Sequence, residues 1–181
     1  GFDWVFKVRD RYETYIDKQG MFPYRFIRNV EEGGYKIFQD YQFYPGKSAL
    51  RTHEKQEYKT PSFIQDLVSA FYYARTIDYS KAKIGDLFEI TTFVDGEIFP
   101  LKIKYMGTEE VKLRKGKYRC MKFVPVIQQG RIWKSEDDLE VWVTADKNKI
   151  PILVKSELLV GSLKMEVVDY QNLKNPVALV N

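Results

Sequence analysis

The apolar side chains of this chain keep strict two-residue alternation, and the alternation changes phase at glycines. In the stretch IPILVKSELLVGSLKMEV the apolar residues Ile150, Ile152, Val154, Leu158 and Val160 fall on even positions, whereas Leu163, Met165 and Val167 fall on odd ones. A strand alternates faces with period two, so a flip of phase keeps both runs on one face when the chain reverses through a tight turn. A two-residue turn at Gly161-Ser162 places Val160 opposite Leu163 and Leu158 opposite Met165. Glycine at the first turn position fits type II′. A bulge at Gly161 in one long strand also flips the phase, and the hairpin is the preferred reading.

The same arithmetic repeats along the chain. With Gly33-Gly34 at a tip, Val30 faces Ile37, Arg28 faces Gln39, Phe26 faces Tyr41 and Tyr24 faces Phe43. With Asp95-Gly96 as a type I′ turn, Ile90 faces Leu101 and Phe88 faces Ile103, and on the other face Glu89 meets Lys102. Lys115-Gly116 would set Leu113 against Tyr118 and Val111 against Cys120. Across TADKNK, Val143 faces Ile150 and Val141 faces Ile152. Hairpins in sequence order predict an all-β, mainly antiparallel, meander-rich chain, closing as a barrel or strongly curved sheet.

One segment obeys a different period. In TPSFIQDLVSAFYYART the apolar residues Phe63, Ile64, Leu67, Val68, Phe71 and Ala74 recur every three or four positions. Thr60 is placed to cap and Pro61 to sit first in a helix, where its missing N–H is harmless. This predicts one amphipathic helix at about residues 61–75. The opening FDWVFKV reads as a short helical turn running into a strand through RDRYETYID. No repeat or linker interrupts the 181 residues, so they read as a single domain, 1–181.

Composition narrows the chemistry. The chain holds one His and one Cys, which leaves no usual zinc ligand set and no internal disulfide. A nucleophile system would have to use His53, which lies in the charged stretch RTHEKQE with no partner arranged around it. No phosphate-binding glycine loop is present. The expectation is a non-enzyme with no metal and no cofactor. Carboxylates alone remain as acid–base groups, and SEDDLE supplies Glu136, Asp137, Asp138 and Glu140, read as a solvated turn. Hydrolysis of an envelope glycan by such carboxylates is the minor reading. Net charge is only +4, and KLRKGKYRCMK reads as an exposed hairpin, so nucleic acid is not an expected partner. No apolar run reaches the length of a membrane helix.

Strand parity brings forward a few polar residues. Asp10 shares a face with Phe6, Val8 and Tyr12, predicted inward. Arg28 shares a face with Tyr24, Phe26 and Val30, opposite Gln39. Either these groups satisfy one another or Asp10 inside the core, or they line a wet cavity. In the cavity reading Arg28, Gln39 and Tyr41 form the ligand-binding lining, with Tyr72 on a rim made by the helix. Trp142, on the polar face of its strand, reads as packing rather than a sugar or lipid contact.

Several stretches together, VRDRYETYID, EEGGYKIFQDYQF, QDLVSAFYYAR, GKYRCMKFVPVIQQGRIW and DDLEVWVTADKNKIPILVKSELLVGSLKMEV, resemble the exported bacterial family known as domain of unknown function thirty-one-oh-eight. The resemblance covers nearly the whole chain. It implies a YmcC-like lipoprotein barrel fold and a Bacteroides-like, Gram-negative source. It also implies export by an N-terminal signal to the periplasm or outer envelope, and further strands preceding DWVFKVRDRY that are missing here. No catalytic motif comes with it. The function expected on these grounds is a non-catalytic carrier of a lipid or glycan. The alternative is a structural or assembly factor that meets an envelope protein partner and holds no small molecule.

Overall fold

The computed structural model describes residues 8–126, 139–157 and 162–180. They divide into two compact units, the described parts of residues 1–76 with 90–100, and of 77–89 with 101–181. The opening helical turn, Phe6, Glu136, Asp137, Asp138, Leu158, Val160 and Gly161 lie outside the described residues. Antiparallel strands dominate, in two sheets with one short helix. Among the described residues no helix is long and apolar enough to cross a membrane.

The first unit carries a five-stranded sheet in the order β1 (Val8–Ile16), β2 (Pro23–Glu32), β3 (Tyr35–Tyr44), β4 (Ala49–Thr52), β5 (Glu57–Lys59). Its first hairpin has the expected register, with Val30 opposite Ile37, Arg28 opposite Gln39 and Phe26 opposite Tyr41. Gly33 and Gly34 hold φ of 54° and 95° at its tip, values a side chain would resist. One face buries Phe26, Tyr41, Phe43 and Leu50 against Ile64 and Phe93. Each such side chain contributes roughly 1.5–3 kcal/mol when fully buried.

The residues covering that face include the expected helix, but it is shorter than the apolar spacing predicts. Helix α1 spans only Ser69–Ala74. Phe63 takes a left-handed φ of 62°. Gln65 is used as a strand instead, its N–H donating to the Thr91 carbonyl and its carbonyl accepting from Phe93. Asp66 then accepts the N–H groups of Val68 and Ser69, both at 2.8 Å, and so starts the helix late. The expected cap Thr60 is buried and donates its N–H to Ser48.

The second unit is built on a sheet of order β11-β10-β9-β8-β7-β6. These are β6 (Leu87–Val94), β7 (Glu97–Leu113), β8 (Gly116–Val126), β9 (Leu139–Thr144), β10 (Pro151–Glu157) and β11 (Ser162–Glu166), and β12 (Leu179–Val180) pairs with β8. The ends of β6 and β7 nearest their shared turn belong to the first unit. Both faces are covered. Tyr105, Met121, Phe123, Val141 and Val143 pack under Tyr79, whose ring meets Phe88 and Phe123 at 4.8 Å each. The other face buries Tyr118, Cys120, Trp142 and Leu153, with Tyr170 and Val177 against them.

Three expected registers are corrected here. Val111 faces Tyr118, not Cys120, and Leu113 faces Gly116, so the turn is Arg114-Lys115. Val141 faces Val154, not Ile152, with a bulge between Pro151 and Leu153. Ser156 faces Leu163, and Ser162 already pairs with Glu157, so Gly161-Ser162 is not the turn. The hairpin nevertheless explains the phase flip. The Lys102 ammonium does stand 3.8 Å from Glu89.

Among the described residues neither sheet closes as a barrel, since β1 and β5 end the first sheet and β11 and β6 end the second. The chain leaving β5 runs over the inner face, with Ile64 in the core, instead of joining the edges. Bulges at Tyr15/Ile16, Tyr105/Gly107 and Pro151/Leu153 bend the strands, in keeping with the curved-sheet form of the expectation.

Candidate functional site

The residues expected to line an interior do converge on the inner face of the first sheet. Tyr12, Arg28 and Gln39 form one row across β1, β2 and β3. The turn joining β6 to β7 has Asp95 at φ 50° and Gly96 at φ 84°, as a type I′ turn requires. That turn delivers the Asp95 carboxylate to the row. Its Oδ1 accepts from Arg28 Nη1 at 3.1 Å and from Gln39 Nε2 at 2.8 Å. The guanidinium also lies 5.7 Å from the centre of the Tyr12 ring, within cation–π range. Arg28 Nε is buried with no partner among the described residues. Tyr41 is buried beside this cluster. Desolvation, and then the Asp95 charge, push its phenol up to about 12, with Arg28 opposing. Arg28, Gln39 and Tyr41 are therefore brought together, but the first two are bound to Asp95. Tyr72 sits on α1 and is 43% exposed.

Asp10 is not in the core. It is exposed, as are Val8 and Tyr12, because β1 is an edge strand. It accepts the Glu31 N–H at 3.3 Å. The Glu32 pKa is raised by side-chain hydrogen bonding with Asp10, then by burial and by the Asp10 charge, with Arg28 opposing. His53 is exposed and meets Phe38 edge-on at 5.1 Å.

The other face of the same sheet offers a different kind of site. Arg25 and Gln42 are directly opposed on β2 and β3, and Tyr44 follows Gln42 two residues on, on the same face. After Tyr44 the chain turns through a 3-10 turn at Pro45–Lys47. Tyr24, which alternation puts on the inner face but which is 48% exposed at the start of β2, borders with these residues an open depression of about 540 Å³. Arg25 is gripped by Asp40 through Nε at 2.9 Å and Nη2 at 2.6 Å, a bidentate pair that fixes the plane of the guanidinium. The Tyr44 hydroxyl donates to Gln42 Oε1 at 2.9 Å. The Lys47 ammonium lies 5.8 Å from the Tyr44 ring centre. Tyr24 is braced edge-on by Phe22 at 5.3 Å. By contrast, the space beside Phe22, Pro23, Phe43 and Ile64 is only about 10 Å³, room for one water at most.

Strand parity placed Arg25 and Gln42 outward, yet it did not mark them as a site. The available signal was the Tyr-Pro-Gly-Lys run that ends β3, an aromatic followed by a turn and a cation. Asp95 was visible as a turn residue. Its reach to Arg28, 67 positions away, had no local signature.

In the second unit Trp142 is buried, as its packing role predicts. Its indole N–H donates to Glu109, and the ammonium groups of Lys122 and Lys155 lie 4.9 and 5.0 Å from the ring. Glu140 pairs with Lys122. Cys120 is fully buried, and burial pushes its thiol up to about 12, so it is not a reactive nucleophile.

These features define a mostly antiparallel β protein of two open sheets among the described residues, with Arg28 and Gln39 held by Asp95 on an inner face and an aromatic, cationic depression exposed. The chain belongs to the family described as Protein of unknown function (DUF3108), whose model matches residues 1–168. No curated protein and no solved structure matches the chain.

Proposed function

We propose that this protein is a non-catalytic binding protein of the bacterial cell envelope, exported by an N-terminal signal, which holds a glycan on an exposed surface. The depression between Tyr24, Arg25 and Tyr44 carries this reading. It combines half-exposed aromatic rings with fixed hydrogen-bonding side chains, the combination that sugar rings call for, with one apolar face and several hydroxyls.

One other reading loses support on the same grounds. A lipid carrier needs an enclosed apolar chamber, and Arg28, the expected lining, is engaged by Asp95. Export is supported by the resemblance of the chain to an exported family. Fractionation of the source cells tests it, since the protein should travel with the envelope and not with the cytoplasm.

Native mass spectrometry of protein purified from its own envelope tests the ligand class. A carbohydrate adduct of defined mass is the expected result. A lipid adduct would replace the surface reading with a chamber. No adduct, together with no heat of binding to any envelope oligosaccharide, would leave an assembly factor that holds no small molecule.

A further inference from the structure

We propose that the depression on the first unit selects acidic saccharides, through a carboxylate seated on Arg25 and Lys47 and a sugar ring laid against Tyr44. This deepens the surface-binding reading and rests on it. The polar groups that remain open on Arg25, Gln42 and Lys47 are donors, while the Tyr24 hydroxyl donates to Asp17 at 3.5 Å. Asp40 occupies Nε and Nη2 of Arg25, and Nη1 has no protein acceptor among the described residues. The Tyr44 hydroxyl occupies Gln42 Oε1, which leaves the Gln42 amide N–H groups to donate. Lys47 has no carboxylate within ion-pair distance among the described residues; its one ring contact is Tyr44. Asp40 and Arg25 neutralise each other at 2.6 Å, so the net positive charge of the set is that of Lys47, and Arg25 contributes the N–H groups of Nη1 as oriented donors.

Such a site is matched by a ligand that brings acceptors and negative charge. A guanidinium whose plane is already fixed loses little freedom on binding a carboxylate. The rings supply the second half of the selection. Tyr24 and Tyr44 are 48% and 37% exposed, and each is braced, Tyr24 by Phe22 and Tyr44 by Gln42. Rigid aromatic faces suit the apolar C–H face of a pyranose. A uronic acid unit offers both parts at once, a carboxylate on one edge of a ring that stacks. A free inorganic anion offers only the charge, and a neutral sugar only the stacking face.

Calorimetry with the full chain separates these cases, using trigalacturonate, an uncharged galactotriose and inorganic phosphate as probes. The expected result is binding of trigalacturonate at least tenfold tighter than of the other two. Arg25→Ala and Lys47→Ala should each weaken it about tenfold, while Lys36→Ala, which removes an exposed charge elsewhere on the same unit, should leave it unchanged. Chemical shifts of the Tyr24 and Tyr44 ring protons report the contact in the unaltered protein, so a variant that fails to fold does not decide the matter. Equal affinity for the uncharged trisaccharide would overturn the acidic selection and leave glycan binding standing. Phosphate binding as tight as trigalacturonate, or ring shifts confined to other tyrosines, would overturn the site. No binding of either trisaccharide would count against this inference and the glycan reading together.

Discussion

Asp66 has no exposed surface, yet its carboxylate is not a stray charge. Oδ1 accepts the N–H groups of Val68 and Ser69, and Oδ2 accepts the Thr14 hydroxyl at 2.6 Å. The Asp66 N–H in turn donates to Ser69 Oγ at 2.8 Å. Burial pushes the Asp66 pKa up from 3.8, and these hydrogen bonds only partly oppose it. Asp66→Ala should lower stability by about 2–4 kcal/mol, because it strands three donors in the interior. Asp66→Asn should cost less than about 1 kcal/mol, since the amide oxygen still accepts both N–H groups and the amide nitrogen can donate to Thr14. Urea unfolding at neutral pH distinguishes the two. The pH dependence has a definite sign. Between pH 3.8 and the raised folded value the native state holds the proton and the unfolded state has released it, so stability falls as pH rises through that window. The Asn variant lacks this loss, and wild-type stability relative to it should be greatest at low pH and should decline on the way to neutrality.

At the scale of the element, Gly116 shows what decides a hairpin. It stands just past the turn at φ 150°, and a Cβ there would come within 3.3 Å of Leu179 Cδ2. Gly116→Ala should cost about 1–2 kcal/mol from backbone strain alone, read as a lower urea midpoint with an unchanged slope. The sequence placed this glycine inside the turn, and the resulting two-residue slip shows how far pattern reading goes. An even slip leaves every side chain on its face, so the faces of Val111 and Tyr118 were legible from alternation while their partners were not, whereas the bulge between Pro151 and Leu153 sends Ile152 to the Trp142 core and Val154 to the Val141 core, which alternation puts on one face. Partners depend on long-range contacts. Glu166 accepts the Arg114 N–H at 2.8 Å from 52 residues away, which helps to fix a turn that Lys115-Gly116 would otherwise claim. At Gly33-Gly34 the tip chemistry alone sufficed, and that register came out as read. The helix was overextended for a related reason, because Gln65 bridges to Thr92, a strand partner invisible in a local period. The site had the same fate. Arg28 and Gln39 could be paired from the first hairpin, but their joint acceptor Asp95 arrives from another hairpin, and Tyr44 and Lys47 become neighbours only through the 3-10 turn between them.

Across the whole molecule, four buried groups that ionise at high pH, Tyr41, Tyr79, Tyr118 and Cys120, are shifted in one direction. Burial pushes the Tyr41, Tyr118 and Cys120 pKa values up to about 12, and that of Tyr79 well above its ordinary value of 10. Tyr41 belongs to the core of the first unit, the other three to the second, so neither unit escapes the effect. Unfolding exposes each group, which then loses its proton near 9 for the thiol and near 10 for the phenols, while the native state still holds it. The unfolded state therefore binds fewer protons above those values, and stability must fall as pH rises. Each fully engaged group contributes about 1.4 kcal/mol per pH unit, so the four together reach about 6 kcal/mol over one unit, within the roughly 5–15 kcal/mol that holds an ordinary domain folded. The expected outcome is a steep fall in the urea midpoint above about pH 10, with tyrosinate absorbance and the first exposure of the Cys120 thiol rising in the same transition. Tyr41→Phe and Tyr118→Phe should each flatten that fall, since each removes one of the protons that drives it. A midpoint that holds constant to about pH 11, or a Cys120 thiol that reacts readily in the folded protein, would show that these groups are not sealed in the two cores as the structure has them.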